Sequence, residues 1–122
     1  KIMWKDVGVI RTQKSLDRAL KAIRNLSKIF SIITPPNDSV YNKKLMDWLD
    51  LRNSLLCAEA VCFAATNRKE SRGAHQMEDI PETIQNFEKN QVITMNDGIL
   101  LSNWENVKRL QFKPEKKRMV TI

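Results

Sequence analysis

The sequence has little glycine, proline, cysteine or histidine. Three glycines and four prolines among 122 residues favour long helices over a many-stranded sandwich, which would need more turns. The two cysteines, Cys57 and Cys62, lie five residues apart in a segment with helical periodicity. They therefore point to different sides of a helix, and we expect both to be reduced. A single histidine and no Cys-Xaa-Xaa-Cys spacing argue against a metal site.

Long apolar runs and a targeting segment are also missing. No stretch is long enough to cross a bilayer and no signal peptide is recognisable, so we expect a cytoplasmic protein. The length is that of one small domain. Because the chain begins at Lys1 inside an apparent amphipathic segment, we also expect it to be a piece of a longer polypeptide.

Positive charge is in excess and is concentrated near the end of the chain. The formal net charge is +7, and residues 108–118 hold six basic residues and one acidic residue. Such a tail can be solvated, or it can contact nucleic acid, acidic lipid or an acidic partner. No RNA-binding aromatic motif or helix-turn-helix spacing supports nucleic acid. A free-standing basic helical interaction module stays open as an alternative function.

Apolar periodicity predicts two long helices. After Ser15, a candidate N-cap, apolar residues recur at three- and four-residue steps over residues 16–33, opposite a charged face. The segment "TPPND" at 34–38 ends this helix. A second helix, over about residues 42–69, is apolar on more than one face, which is typical of a central helix in a bundle.

The remaining segments predict shorter elements. Residues 1–11 indicate a short helix, and residues 83–90 indicate another. Two apolar runs flank "NDG" at 96–98, a strong signal for a β-hairpin. We therefore divide the chain into a helical bundle over residues 1–82 and a hairpin with a basic tail over residues 83–122, both within one domain.

The most polar stretch is "RKESRGAHQMEDIPE" at 68–82. Ser71, His75 and Asp79 stand four residues apart, but a glycine and a proline interrupt the stretch, which argues against a helical catalytic triad. One glycine that follows a helix is not a phosphate cradle, because a helix ends on carbonyl groups. Two interpretations remain open from the residues alone. The stretch is either a polar junction that docks onto another surface through arginine–carboxylate pairs or a solvated helix end.

Three segments of the chain carry a familiar pattern. Residues 51–82 contain Arg-Xaa-Glu-Ser-Arg-Gly-Ala-His followed by an acidic residue and Pro-Glu, residues 1–20 contain "MW" and "VGVIR", and residues 107–119 read "VKRLQFKPEKKRM". This combination resembles the C-terminal helical domain of the succinate dehydrogenase and fumarate reductase flavoprotein family, which includes L-aspartate oxidase. The last segment is similar to the tail of the dehydrogenase and reductase members.

The resemblance implies a mainly α fold, a spectrin-repeat-like three-helix bundle followed by a short C-terminal hairpin or irregular tail. It also implies that the parent protein is an FAD-dependent oxidoreductase that interconverts succinate and fumarate and passes electrons to an iron–sulfur subunit. The residues that bind FAD and substrate belong to upstream domains of the family. We therefore expect no catalytic, cofactor-binding or metal-binding residue in this chain.

The role implied for this domain is to brace the FAD domain and the subunit contacts, with a membrane reached only indirectly through partner subunits and without nucleic acid. Seven residues of the polar stretch are the expected interdomain docking surface: Arg68, Glu70, Ser71, Arg72, Gly73, His75 and Asp79. Two alternatives stay open, namely the corresponding domain of L-aspartate oxidase and the free-standing basic module.

Overall fold

The computed structural model describes residues 1–37 and 41–108. In chain order the helices and strands are α1 (Ile2–Asp6), β1 (Ile10–Arg11), α2 (Gln13–Ser31), α3 (Lys43–Asn67), β2 (Gln76–Met77), a 3-10 turn (Gln85–Phe87), β3 (Lys89–Asn96) and β4 (Ile99–Asn106).

Helix α2 is amphipathic and begins with a capping box. The Thr12 side chain accepts a hydrogen bond from the Ser15 N–H, and the Ser15 hydroxyl accepts one from the Thr12 N–H, both at 3.1 Å. Unpaired N–H groups at the helix start are thereby satisfied. The N-cap predicted at Ser15 was wrong by three residues, since Ser15 is the inner partner of the box.

Helix α3 packs along α2 and buries one of its faces. Asn42 caps its start by accepting the Leu45 N–H at 2.9 Å. The rings of Phe30 and Trp48 lie 4.9 Å apart, and Arg24 Nε donates to Glu59 at 2.9 Å. These contacts fix α2 and α3 side by side, as the two apolar patterns predicted.

The buried core lies at one end of the helix pair. It collects residues from the loop after α1, the first half of α2, the last turns of α3 and strand β2: Val7, Leu16, Ala19, Ile23, Cys62, Ala65 and Met77. Met77 belongs both to this core and to the polar stretch at 68–82, so that stretch is attached directly to the core.

Two separate two-stranded sheets complete the structure. β1 pairs with β2 in parallel, with Ile10 opposite Gln76. β3 pairs with β4 in antiparallel register, and the turn between them has Asp97 at φ 48° and Gly98 at φ 77°. Positive φ at both central residues is the geometry that favours Asp-Gly in hairpins. The hairpin predicted around 96–98 is present and is longer than expected.

The mainly α three-helix bundle was wrong. Within the described residues the structure has two long helices, a five-residue α1 and two sheets, one parallel and one antiparallel. Residues 83–90 form a short 3-10 turn and the start of β3 instead of a helix. Helix α3 ends at Asn67, two residues before the end predicted for it. Alternation of apolar and polar residues could not predict β1 and β2, because strands of two residues are too short to show it. Their pairing depends on tertiary packing instead.

Part of the basic tail, residues 109–118, lies outside the described residues, as does the end of the unit predicted over 83–122. Among the residues that the structure describes, none of the helices has the length and hydropathy needed to cross a membrane.

Candidate functional site

The polar stretch folds into a compact junction, defined here as residues 68–84, between the end of α3 and the hairpin. It does not continue α3. Instead the chain turns back at Arg72–His75 and forms β2, which pairs with β1. All seven residues predicted for the docking surface lie in this junction.

Glu70 is the buried anchor of the junction, and its side chain has no exposed surface. One carboxylate oxygen accepts hydrogen bonds from Arg68 and from Arg72 Nε, the latter at 2.9 Å. The other accepts the Ile84 N–H at 2.9 Å. Burial by itself raises the pKa of the Glu70 carboxyl, but the hydrogen bonds from Arg72, Ile84 and Arg68 outweigh it and hold that pKa below its ordinary value. Glu70 is therefore ionised, and both of its carboxylate oxygens accept hydrogen bonds from other parts of the fold.

Arg68 connects α3 to the hairpin. Its guanidinium donates to the Phe87 carbonyl at 3.1 Å and to the Lys89 carbonyl at 2.9 Å, and it lies 4.9 Å above the Trp104 ring. Only 15% of the Arg68 side chain is exposed. Arginine suits this position better than lysine, because its planar guanidinium can lie over an aromatic ring and bind a carboxylate at the same time.

Ser71 is buried and satisfies backbone groups on both sides of the junction. Its hydroxyl donates to the Ile80 carbonyl at 2.8 Å and accepts the Met77 N–H at 2.8 Å. The Ser71 N–H donates to the Glu82 carbonyl at 2.9 Å, while the Thr83 hydroxyl donates to the Ser71 carbonyl at 2.7 Å. These bonds supply partners that a segment without regular structure otherwise lacks.

Gly73 makes the sharp turn that reverses the chain. Arg72 and His75 exchange two backbone hydrogen bonds of 2.8 and 3.0 Å, and between them Gly73 has φ 57°. Glycine at the first central position of a two-residue turn adopts this left-handed conformation without steric cost. The turn is exposed and a Cβ there would touch nothing, so backbone conformation explains the glycine.

His75 joins three separate parts of the chain. Its Nδ1 lies 2.9 Å from Arg11 Nη1, and its Nε2 lies 3.0 Å from the Arg68 carbonyl. Because the guanidinium can only donate, Nδ1 is the acceptor and Nε2 carries the proton, which describes a neutral ring. Burial lowers the pKa of His75; the bond to the Arg68 carbonyl opposes this and the charge of Arg11 adds to it, and the pKa lies below its ordinary value.

Asp79 attaches the junction to the start of α2. Its carboxylate accepts the N–H of Gln13, the first residue of the helix, at 2.8 Å. A negative charge at this end of a helix also complements the helix dipole. Lys69 reinforces the contact by donating to the Gln13 side-chain oxygen at 2.7 Å.

Three of the seven residues predicted for the docking surface have much of their surface exposed. Arg72 keeps 36% of its side chain exposed, and Gly73 and Asp79 are also exposed. A shallow pocket of about 320 Å³ opens next to Arg72, between the junction and the hairpin, and its lining includes Arg68, Arg72, His75, Lys89, Asn90 and Val107.

The side chains of the junction form hydrogen bonds and ion pairs with one another. Across residues 1–37 and 41–108, no cluster of three or more His, Cys, Asp or Glu side chains could hold a metal ion. The glycines Gly8, Gly73 and Gly98 lie on three separate segments, and none forms the glycine-rich loop before a long helix that holds a dinucleotide phosphate. These residues do not fit an FAD phosphate site.

Two residues outside the junction that contact it were missed from the sequence, Arg11 and Trp104. Both lie far away in the chain, and nothing in local spacing identifies such partners. Thr83, inside the junction, was also missed. One signal was available for Arg11, because "VGVIR" and the octad at 68–75 both matched the same family pattern and residues in such patterns tend to meet.

Comparison with known proteins gives a consistent result. A family profile described as "Fumarate reductase flavoprotein C-term" matches residues 1–119. The 8-methylmenaquinol:fumarate reductase flavoprotein subunit of Wolinella succinogenes is 33% identical over 120 residues, which cover 96% of this chain and 20% of that protein. L-aspartate oxidase of Acinetobacter baylyi is 40% identical over 87 residues, which cover 71% of this chain and 15% of that protein.

A solved structure of a quinol fumarate reductase from E. coli superposes with a TM-score of 0.84 at 29% identity, covering 94% of this chain and 20% of that one. The chain thus spans a fifth or less of the length of these relatives. The family resemblance carried by the octad and by residues 1–20 is confirmed. With a profile match over nearly its whole length and a fold shared with a solved relative, this chain belongs to the family of fumarate reductase flavoprotein C-terminal domains.

Proposed function

We propose that this chain is the C-terminal domain of an FAD-dependent flavoprotein that interconverts succinate and fumarate, and that it serves that enzyme without taking part in the chemistry. The observation that carries the proposal is the profile match over residues 1–119. FAD binds elsewhere in the parent polypeptide and supplies the redox chemistry there.

The domain braces the FAD domain through the exposed side of the junction. Glu70 and Ser71 act from inside: they hold the Arg72–His75 turn in one conformation. Arg72, beside the adjoining pocket, then presents a polar group for docking together with the exposed residues Gly73 and Asp79. A preorganised group loses little conformational entropy on docking, which favours a stable contact between domains.

An iron–sulfur subunit is the partner that we infer for the parent flavoprotein. The Wolinella relative is named as a subunit of a methylmenaquinol:fumarate reductase, and the E. coli relative is a quinol fumarate reductase. In a quinol:fumarate reductase the quinol gives electrons that reach fumarate through the flavoprotein, and an iron–sulfur subunit can carry them to the flavin. Any contact of this chain with a membrane is then indirect, through partner subunits.

The activity is tested on the complete polypeptide that contains this chain. We expect the purified protein to hold flavin and to reduce fumarate with a reduced dye as electron donor. Oxidation of L-aspartate without succinate or fumarate turnover would support the oxidase alternative, which the 40% identity to the Acinetobacter enzyme keeps in view. A colourless protein with steeply salt-dependent DNA binding would instead support the basic interaction module.

The docking role is tested with Arg72→Ala in the same complete polypeptide. Loss of this exposed cation should weaken docking and make the chain segment before Lys1 several-fold more sensitive to protease, with little change in helix content. Lys14→Ala removes one positive charge from the exposed face of α2 and should leave sensitivity unchanged. Equal effects of the two variants would contradict docking through the junction.

A further inference from the structure

A second stripe of mostly apolar side chains runs along α3, next to the face that packs on α2. It follows the three- and four-residue spacing of a helix-packing seam, one position after the residues that face α2, and only Asn53 in it is polar: Met46, Leu49, Asn53, Leu56, Ala60 and Phe63. Met46 is 60% exposed and Leu56 is 46% exposed. Seams of this kind on a 25-residue helix normally face another protein surface.

Beside this stripe, a groove between α2 and α3 opens into a pocket of about 450 Å³. Its floor is apolar and aromatic, with Phe30, Trp48, Leu55 and Leu56, and its rim carries Arg52 and Glu59. The groove is on the helix pair, apart from the junction and its docking surface. It is deep enough to accept side chains from a neighbouring segment.

Two polar groups of the groove lack partners in the part of the chain that the structure describes. Trp48 Nε1 is buried and makes no hydrogen bond there. Arg52 lies 5.8 Å above the Trp48 ring, and no carboxylate among the described residues pairs with it. Glu59, by contrast, is already paired with Arg24. Arg52 is exposed, so a carboxylate on an occupant of this apolar groove can pair with it without displacing a carboxylate of the described residues.

We propose that this groove binds an apolar segment bearing a carboxylate, contributed by the rest of the same polypeptide. The apolar side chains of that segment cover Leu56 and fill the pocket, and its carboxylate pairs with Arg52. A second copy of this chain is a poor occupant, because its net charge of +7 repels a like copy. This proposal rests on the proposed function, because the occupant belongs to a longer polypeptide. In the solved relative, the part that matches this chain is 20% of the whole.

Photo-crosslinking in the complete polypeptide tests the occupant. Benzoylphenylalanine replaces Leu56, and as a matched control it replaces Asn25, an exposed residue on α2. We expect position 56 to crosslink to a segment outside residues 1–122 that holds apolar residues and an Asp or Glu, and position 25 not to reach that segment. Crosslinks from position 56 to a second copy, to another polypeptide or to nothing outside residues 1–122 would overturn the proposal.

The charge requirement is tested with Arg52→Glu and its matched control Arg52→Lys. We expect the crosslink yield from position 56 to fall about tenfold with glutamate and less than twofold with lysine. Equal yields with glutamate and lysine would overturn the carboxylate part of the proposal. Circular dichroism of each variant identifies any loss of folding, and Arg52→Met, which keeps an apolar stem and removes the charge, then serves as the second variant with an expected several-fold loss.

The same preparations separate this proposal from the proposed function. A protein that holds flavin and reduces fumarate but gives no crosslink from position 56 to the segment described would overturn the groove alone. A protein without flavin would overturn the proposed function, whatever position 56 reaches.

Discussion

Glu70 shows how a single buried carboxylate can organise a segment without regular structure. It binds Arg68, Arg72 and the Ile84 N–H, and its side chain is fully buried. Neutralising this carboxylate leaves the guanidinium groups of Arg68 and Arg72 without their counter-charge, which costs more than the cluster contributes as a whole.

We predict that Glu70→Gln lowers the free energy of unfolding by about 3 kcal/mol. The glutamine amide keeps the shape of the carboxylate but carries no charge, and its NH₂ group faces the N–H donors that bind Glu70. Urea denaturation measures the change. Glu78→Gln is the matched control, because Glu78 is exposed, and it should change stability by less than about 0.5 kcal/mol. Similar losses in the two variants would show that Glu70 is not the anchor.

His75 should make stability depend on pH. Its pKa in the folded state lies below the ordinary value of 6.5, so the unfolded chain binds the proton more readily. The stability that the neutral ring contributes is therefore complete above about pH 6.5 and is lost as the pH falls from there toward the folded pKa. Protonation also places an N–H on Nδ1, against the Arg11 guanidinium.

Urea denaturation at pH 7.5 and pH 5 measures this effect. We expect the wild-type protein to lose more stability between the two than His75→Gln, which has no titrating ring. The comparison is direct because the chain has a single histidine. A pH dependence that is the same in both proteins would exclude His75 as the source.

At the scale of elements, the tight hairpin turn depends on one glycine. Gly98 has φ 77°, a conformation that costs a residue with a Cβ about 1 kcal/mol. Gly98→Ala should therefore lower stability by about 1 kcal/mol, as measured by urea denaturation. Asn103→Ala, at an exposed position in β4, is the control and should have a smaller effect. An unchanged Gly98→Ala protein would mean that the turn relaxes to another type.

The elements that could be predicted from the sequence are those with a strong local signal. Helices α2 and α3 follow from apolar spacing, and the hairpin follows from "NDG". The pairing of β1 with β2 could not be predicted, because each strand has two residues and their contact joins distant parts of the chain. The helix predicted over 83–90 failed for a similar reason: backbone groups near Ile84 bind Glu70 and Arg72 instead of a helical neighbour.

The sequence singled out the polar stretch as a candidate site, but it did not predict the internal arrangement of that stretch. Gly73 and Pro81 argued against a continuous helix there, and the structure has a turn and a short strand instead. Which side chains point inward depends on partners such as Arg11 and Trp104, which lie far away in the sequence. The docking role of the seven predicted residues stays a prediction, and Arg72, Gly73 and Asp79 are those with exposed surface for it.

At the scale of the whole molecule, Arg68 is the main connection between the helix pair and the hairpin. We predict that Arg68→Met loosens the hairpin while the helices stay folded, because the bonds to the Phe87 and Lys89 carbonyls are lost. Hydrogen exchange should then accelerate at least tenfold in β3 and β4 and much less in α2. Lys69→Met is the control at the neighbouring exposed position. Uniform acceleration throughout the chain would indicate global destabilisation instead.

The bond between Gln13 and Asp79 spans 66 residues, and this has a consequence for the order of folding. Helices α2 and α3 are adjacent in the chain and can pair early, whereas the loop that β1 and β2 close is long and costs more entropy. The junction should therefore form after the transition state. Substitutions within it, such as Asp79→Asn, should speed unfolding and leave the folding rate nearly unchanged, so the family's most recognisable segment would be the last part of the domain to form.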